Sequence, residues 1–227
     1  MQNSKWKIIL KNYVKNNYKE YILTSLLFII GLFIGVMIIN NCTETQSSEI
    51  TVYLNEFITK FKNTQSINKS ELALSSIKNN TILSLIIWLA GTTVIGMPIV
   101  LIVIMFRGIV LGYTISAITL TLGTTKGIFF CLVSIFIQNL LFIPAVLTIG
   151  VSSIKLYKSI MKDRKIENVK MEIIRHTIIA IIMSLILCVS SLLENTISIT
   201  LLKKIIKYFW KTIYILRIVW YNIYSLC

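Results

Sequence analysis

The chain has 227 residues, of which 56% are hydrophobic and 14% are charged, and its formal net charge is +14. A soluble domain usually carries about 25% charged residues, so this composition argues against a soluble globular protein and for a membrane protein. The positive charge does not indicate nucleic-acid binding, because the sequence has no soluble basic domain to carry that function.

Long apolar runs without acidic or basic residues divide the chain. A helix needs about 20 largely apolar residues to cross a hydrocarbon core of roughly 30 Å, and it satisfies its own backbone polar groups. We therefore predict an all-α fold, a polytopic transmembrane helical bundle of about five spans within a single membrane domain, residues 1–202. The predicted spans are residues 21–39, 80–106, 108–124, 127–152 and 176–194.

The distribution of Lys and Arg predicts the orientation of these spans. Residues 1–20 and the loop 155–175 are strongly basic, and such segments accumulate on the cytoplasmic side. The loop 40–78 holds equal numbers of lysines and glutamates and should lie outside. The N-terminus is then cytoplasmic and the C-terminus external. The first apolar run lacks a small-residue cleavage site, so we interpret it as a retained signal anchor.

Three segments outside the spans have apolar residues at helical spacing. Residues 5–19 and the tail 203–227 interleave aromatic residues with lysines, which is typical of helices that lie on anionic lipid headgroups. In the outer loop an apolar helix face runs from Ile50 to Phe61. This face either rests on the outer leaflet or the bundle, or forms a docking surface for an extracytoplasmic partner. The candidate partner-binding residues on it are Tyr53, Leu54, Phe57 and Phe61.

Two glycine pairs have the spacing that lets membrane helices approach closely. Gly31 and Gly35 lie in the first predicted span, and Gly108 and Gly112 lie in the third. Small residues four apart remove the side chains that would keep two helix backbones apart. The pairs indicate helix packing inside the chain, or else a contact between subunits of a homo-oligomer.

Gly96 and Pro98 interrupt the second predicted span. Proline lacks an N–H and disfavours helix at the preceding residue, so we predict a kink or break near Gly96. Broken helices mark some transport sites, but the surrounding residues are uncharged and packing is the simpler role. Arg107, between the second and third predicted spans, is interpreted as an anchor at the cytoplasmic interface.

Polar residues in the later spans are also candidates for structural roles. Gln138 and Asn139 precede Pro144 in the fourth predicted span, where amides are costly unless they bond to another helix or a freed carbonyl. A structural hydrogen-bond network and a ligand site both remain open. Glu194 is interpreted as the outer end of the last span, and its functional alternative is a salt bridge to a partner or to Lys126.

The residue types of common catalytic and metal sites are absent or scattered. The chain has a single histidine, its four cysteines are far apart, and it has no phosphate-binding loop. We therefore expect no catalytic residue, no metal site and no cofactor, and a protein that is not an enzyme.

Several segments resemble the stage II sporulation protein M family. Residues 95–116, which include Arg107-Gly-Ile-Val-Leu-Gly112, resemble the central span of that family. The segment from Gln138-Asn139 to Pro144 also resembles the family's sequence. Ser190-Ser-Leu-Leu-Glu194 resembles the end of its last span. The chain departs from the family pattern at Ile137, where a proline is usual.

The resemblance implies a non-enzymatic membrane scaffold in endospore formation. In that family the protein works in the septal membrane, on the mother-cell side, with two peptidoglycan-degrading partners, stage II sporulation proteins D and P. It would recruit or anchor these hydrolases for engulfment of the forespore. The alternative is a small transporter or the permease subunit of an exporter, suggested by the break near Gly96 and by the amides Gln138 and Asn139.

Overall fold

The structure, a computed structural model, describes residues 12–63, 69–162 and 166–193. Every regular element in these ranges is a helix, which confirms the predicted all-α fold. The main helices are α1 (Tyr18–Asn40), α2 (Glu44–Asn63), α3 (Lys69–Gly91), α4 (Gly96–Leu122), α5 (Thr124–Lys162) and α6 (Ile166–Leu193). Residues 12–16 add a helical stretch just before α1.

Among the described residues, five of these helices are long and apolar enough to cross a membrane, which confirms the predicted number of spans. Only α2 is not among them. The candidate spans are Tyr18–Asn40, Ala73–Gly91, Gly96–Leu122, Asn139–Met161 and Val169–Leu193.

The predicted division of the middle region at Arg107 is wrong. α3 ends at Gly91 and α4 begins at Gly96, so Arg107 lies well inside α4. The hydroxyl of Thr93 binds a carbonyl of the last turn of α3 and accepts the Gly96 N–H, both at 3.0 Å. Pro98 falls in the first turn of α4, where its missing N–H has no intrahelical partner to lose. The break therefore separates two spans instead of kinking one. The sequence did not indicate this boundary, because the residues on both sides of it are apolar.

The two predicted loops are largely helical. α2 occupies much of the segment 40–78, and α5 and α6 extend from either side into the segment 155–175. Charged residues of these two extensions form an ion pair between the helices: Lys155 Nζ of α5 lies 3.6 Å from Glu172 Oε1 of α6. The N-terminal stretch 1–11, Glu194 and the tail 203–227 lie outside the described residues.

The core of the bundle is centred on α5, which contacts α1, α3, α4 and α6. α1 packs on α4, α3 packs on α6, and α2 packs against α4. Burial is complete for apolar side chains from four helices, so each of these helices contributes to one common core. The fully buried residues include Ile87, Val100, Ile104, Ile149 and Leu187.

The bundle has two chemically different ends. At what we call the basic end, α1, α4 and α6 begin and α3 and α5 finish. At the other end, the α2 end, α1 leads into α2, and α4 turns into α5 at Gly123. Gly123 has φ = 81° and ψ = 158°, a conformation that is essentially restricted to glycine.

Candidate functional site

The glycine pairs of α1 and α4 face each other. A Cβ atom added at Gly31 would overlap the carbonyl oxygen of Met105, and one at Gly35 would overlap that of Ile109. On the opposite helix, Gly108 and Gly112 meet the carbonyl oxygens of Phe28 and Leu32 in the same way. The two helices therefore run parallel with their backbones in contact, and both pairs are used inside the chain. This arrangement makes α1 and α4 one rigid unit.

At the basic end, ion pairs join the helix termini. Lys158 Nζ donates to Glu20 Oε1 at 2.5 Å, which ties α5 to α1. Glu172 of α6 is paired with both Lys155 and Arg175. The ammonium of Lys155 also lies 5.8 Å from the ring centroid of Tyr13, close enough for a cation–π contact. Together these contacts hold residues 13–20 against α5 and α6.

Tyr13 is the most perturbed group at this end. Its hydroxyl is buried and forms no hydrogen bond of ordinary geometry within the described residues. Removal from solvent disfavours the phenolate and raises the pKa of Tyr13 to about 12, with the nearby Tyr21 hydroxyl contributing in the same direction, although the Ser152 side chain lies close enough to lower this pKa slightly. Tyr13 is therefore neutral throughout the physiological range.

A buried polar cluster lies next to this end and is centred on His176. The ring Nε2 of His176 lies 3.4 Å from the carbonyl oxygen of Trp88, and Nδ1 lies 3.0 Å from the Ser152 hydroxyl. A carbonyl only accepts, so Nε2 carries the proton and Nδ1 accepts from Ser152. The indole N–H of Trp88 donates to Thr177 Oγ1 at 3.2 Å. The cluster therefore joins α3, α5 and α6.

Sequence reasoning used His176 only as the boundary of a span and missed this cluster. The available signal was the only histidine of the chain beside a long apolar run, together with the adjacent pair Ser152-Ser153 in another run. Both His176 and Ser152 are buried, with exposed fractions of 1% and 4%. His176 and Ser152 are enclosed by the bundle, whereas Trp88 and Thr177 also line a cleft of about 370 Å³ between α3 and α6.

A second buried contact joins α3 and α6 nearer the α2 end. Asn80 Nδ2 donates to Ser191 Oγ at 2.7 Å, and both side chains are buried. Ser191 Oγ in turn donates to the carbonyl of Leu187 at 3.1 Å. Ser191 belongs to the segment that resembles the end of the family's last span, and this contact gives that serine a packing role.

Helix α2 is held against α4 and leaves part of its surface exposed. Its Ile50 and Leu54 line a cleft of about 380 Å³ whose other wall includes Ala117 and Ile118 of α4. Tyr53 borders the same cleft but is 71% exposed. The side chains of two further candidates in α2, Phe57 and Phe61, lie outside what the structure describes.

The remaining candidates are spread along α4 and α5. The guanidinium of Arg107 lies 5.1 Å from the ring centroid of Phe142 on α5, a cation–π contact. Pro144 is accommodated inside α5, and its carbonyl accepts from Thr148 Oγ1 at 2.7 Å. Asn139 is half-buried, whereas the Gln138 side chain is not among those described. In the described part of the chain, no group of three His, Cys, Asp or Glu residues is placed to hold a metal ion.

Five apolar helices, a glycine-mediated contact and buried polar bridges between helices define a multi-pass, all-helical membrane protein. Residues 24–199 match the family model described as Stage II sporulation protein M. The match covers more than half of the chain, so the chain belongs to the stage II sporulation protein M family, as its sequence predicts, and is a sporulation-related membrane protein. No curated protein and no solved structure matches it significantly.

Proposed function

We propose that this protein is a non-enzymatic membrane scaffold that recruits or anchors peptidoglycan hydrolases at the septal membrane during forespore engulfment. Family membership supports a role in sporulation. The family resemblance suggests stage II sporulation proteins D and P as the partners. The scaffold would act from the mother-cell side and leave the wall chemistry to those enzymes.

The orientation that fits this role has the basic end in the cytoplasm. Exposed or half-exposed basic side chains at that end include Lys15, Lys19, Lys155, Lys158 and Lys170. An excess of Lys and Arg is typical of cytoplasmic helix ends, which supports an outer position for α2, in reach of the cell wall.

The observation that carries the proposal is the exposed edge of α2. Tyr53 is 71% exposed and Val52 is 57% exposed, while Ile50 and Leu54 of the same helix line the cleft against α4. A tyrosine on a helix that is already ordered supplies contact area at little conformational cost. This edge of α2 is the candidate docking surface for the extracytoplasmic part of a hydrolase.

The test is recruitment of fluorescent fusions of proteins D and P to the septal membrane of sporulating cells. We expect Tyr53→Ala to reduce septal enrichment about tenfold, the loss that one interface anchor of about 1.4 kcal/mol would cause. The matched control is Asn55→Ala, because Asn55 is exposed and lies on the side of α2 opposite to Tyr53. Equal recruitment by Tyr53→Ala and Asn55→Ala, at equal membrane levels, would contradict docking through α2.

The transport alternative rested partly on the interruption near Gly96, and that interruption is the connection between α3 and α4. Its remaining support is the amide pair Gln138 and Asn139 in α5. Solute flux into proteoliposomes that is abolished by Asn139→Leu would favour transport over the scaffold.

A further inference from the structure

Arg107 lies deep within the membrane-spanning part of the bundle. The contacts of the paired glycines set its depth: Met105 and Ile109 of α4 touch Gly31 and Gly35, and Gly108 touches Phe28. Arg107 is therefore level with the middle of α1, around residue 30, which lies ten positions from each of residues 20 and 40. At a rise of 1.5 Å per residue this is about 15 Å from either end of the span.

A guanidinium at this depth needs a partner. It stays protonated under all physiological conditions, and about 15 Å is farther than an arginine side chain extends to reach the interface. Its contact within the described residues is the ring of Phe142, and none of the ion pairs there involves Arg107. Cationic side chains inside a membrane normally pair with an acid or a carbonyl, so among the described side chains the ring leaves most of this requirement unmet.

Within residues 12–63, 69–162 and 166–193, no carboxylate is found at the matching depth. The sequence contains no Asp or Glu between residues 72 and 162, or between residues 173 and 193. Two acids lie within the candidate spans, Glu20 and Glu172, and both are at the basic end in ion pairs. A second copy of the chain would bring the same acids to the same levels, so a homo-oligomer does not supply the missing charge.

The surface beside Arg107 suits a transmembrane helix. On α4, the neighbouring side chains Phe106 and Val110 are 60% and 41% exposed, and Ile102, one turn earlier, is 59% exposed. This apolar stripe runs along α4 next to the half-buried arginine. A helix lying on it would bury apolar surface over several turns and would bring one side chain opposite the guanidinium.

We propose that Arg107 is the membrane-embedded docking site for a transmembrane helix of a different protein, which carries a carboxylate near the middle of its span. The charge selects the partner and fixes its depth, because only a carboxylate about 15 Å from the ends of that helix reaches the guanidinium. The apolar stripe of α4 provides the packing. This intramembrane contact is separate from the α2 surface and does not depend on which hydrolase binds there.

The proposal can be tested with the full-length protein in phosphatidylcholine vesicles and synthetic polyleucine transmembrane helices of about 20 residues. One helix carries a glutamate at its centre, a second carries it near one end, and a third has leucine throughout. Association is measured by energy transfer between labels on the peptide and on the protein. We expect the central-glutamate helix to bind about tenfold more tightly than the other two helices.

Substitutions at Arg107 connect this preference to the site. Arg107→Leu should abolish the preference for central glutamate, while Arg107→Lys, which keeps a cation at the same depth, should retain part of it. Phe142→Leu, which removes the ring and leaves the charge, should preserve it. Circular dichroism and gel filtration in detergent establish that each variant is folded, so that a lost preference reports on the site.

Three results would overturn the proposal. Equal binding of the glutamate and all-leucine helices would show that the guanidinium recognises no carboxylate. A preference that persists in Arg107→Leu would place recognition elsewhere. Loss of the preference when the vesicles contain anionic phosphatidylglycerol would show that lipid headgroups already satisfy Arg107.

Discussion

The contact between α1 and α4 allows a sharp test, because adding one methyl group distinguishes a backbone neighbour from a flexible side chain. In Gly35→Ala the new Cβ would overlap the carbonyl oxygen of Ile109 and lie 2.7 Å from the amide nitrogen of Tyr113. Neither atom can move without shifting α4. In Gly150→Ala the new Cβ would instead meet the terminal methyl of Ile104, which can rotate away.

The magnitude follows from two opposing effects. Replacing glycine by alanine inside a helix stabilises it by roughly 0.5–1 kcal/mol, since alanine loses less conformational freedom on folding. Overpacking typically costs about 1–3 kcal/mol, and the upper end applies here because the overlapped atoms belong to the backbone, so for Gly35→Ala we expect a net loss of about 2 kcal/mol. Gly150→Ala should stay within about 0.5 kcal/mol of the wild type, because its neighbour relaxes.

The assay is reversible unfolding of the purified protein in mixed micelles, followed by helical circular dichroism as denaturing detergent is added. The expected order of stability is Gly150→Ala equal to or above wild type, and Gly35→Ala clearly below both. If Gly35→Ala is as stable as wild type, the backbones of α1 and α4 are not in contact at this crossing, and the reasoning about the glycine pairs fails.

Two further predictions concern the basic end. His176→Ala leaves the hydroxyl of Ser152 without its partner in a buried site and should lower the unfolding free energy by about 1–3 kcal/mol. The control is Ile178→Ala, two residues later on the opposite side of α6, where the side chain is 51% exposed. For Tyr13, the folded pKa of about 12 exceeds the ordinary value of 10.0, so its contribution to stability is complete below pH 10 and is lost as pH rises towards 12. Stability should therefore fall more steeply over this interval in wild type than in Tyr13→Phe, and identical slopes would show that Tyr13 is not buried.

Hydrophobicity and charge predicted the helical class and the number of spans, since both properties act locally along the chain. The same signals misplaced the boundary between two spans. The only charge in that region, Arg107, was taken as a helix end, although the chain turns earlier, at residues 92–95. The turn is made by the hydroxyl of Thr93 and by Gly96, whose close approach to the carbonyl of Ala90 excludes a larger side chain.

The candidate functional residues also divide into those that the sequence indicated and those that only the structure brings together. The glycine pairs were recognisable by their spacing, but spacing alone left open whether each pair meets its own chain or another. His176 had no recognisable motif, because its partners Ser152 and Trp88 are 24 and 88 positions away. Such clusters form only when separate helices pack, and single-sequence patterns do not contain that information.

By itself, the amino-acid sequence determined that this protein is a helical membrane protein, because the cost of burying charge in hydrocarbon leaves a pattern of apolar runs. The segments around Arg107 and Gln138-Asn139 carried its resemblance to the stage II sporulation protein M family. The tertiary structure decided that the two glycine pairs face each other, that His176 joins three helices and that Arg107 lies far from both ends of its span. These features depend on the relative depth and rotation of the helices, which are set by contacts between residues distant in the chain.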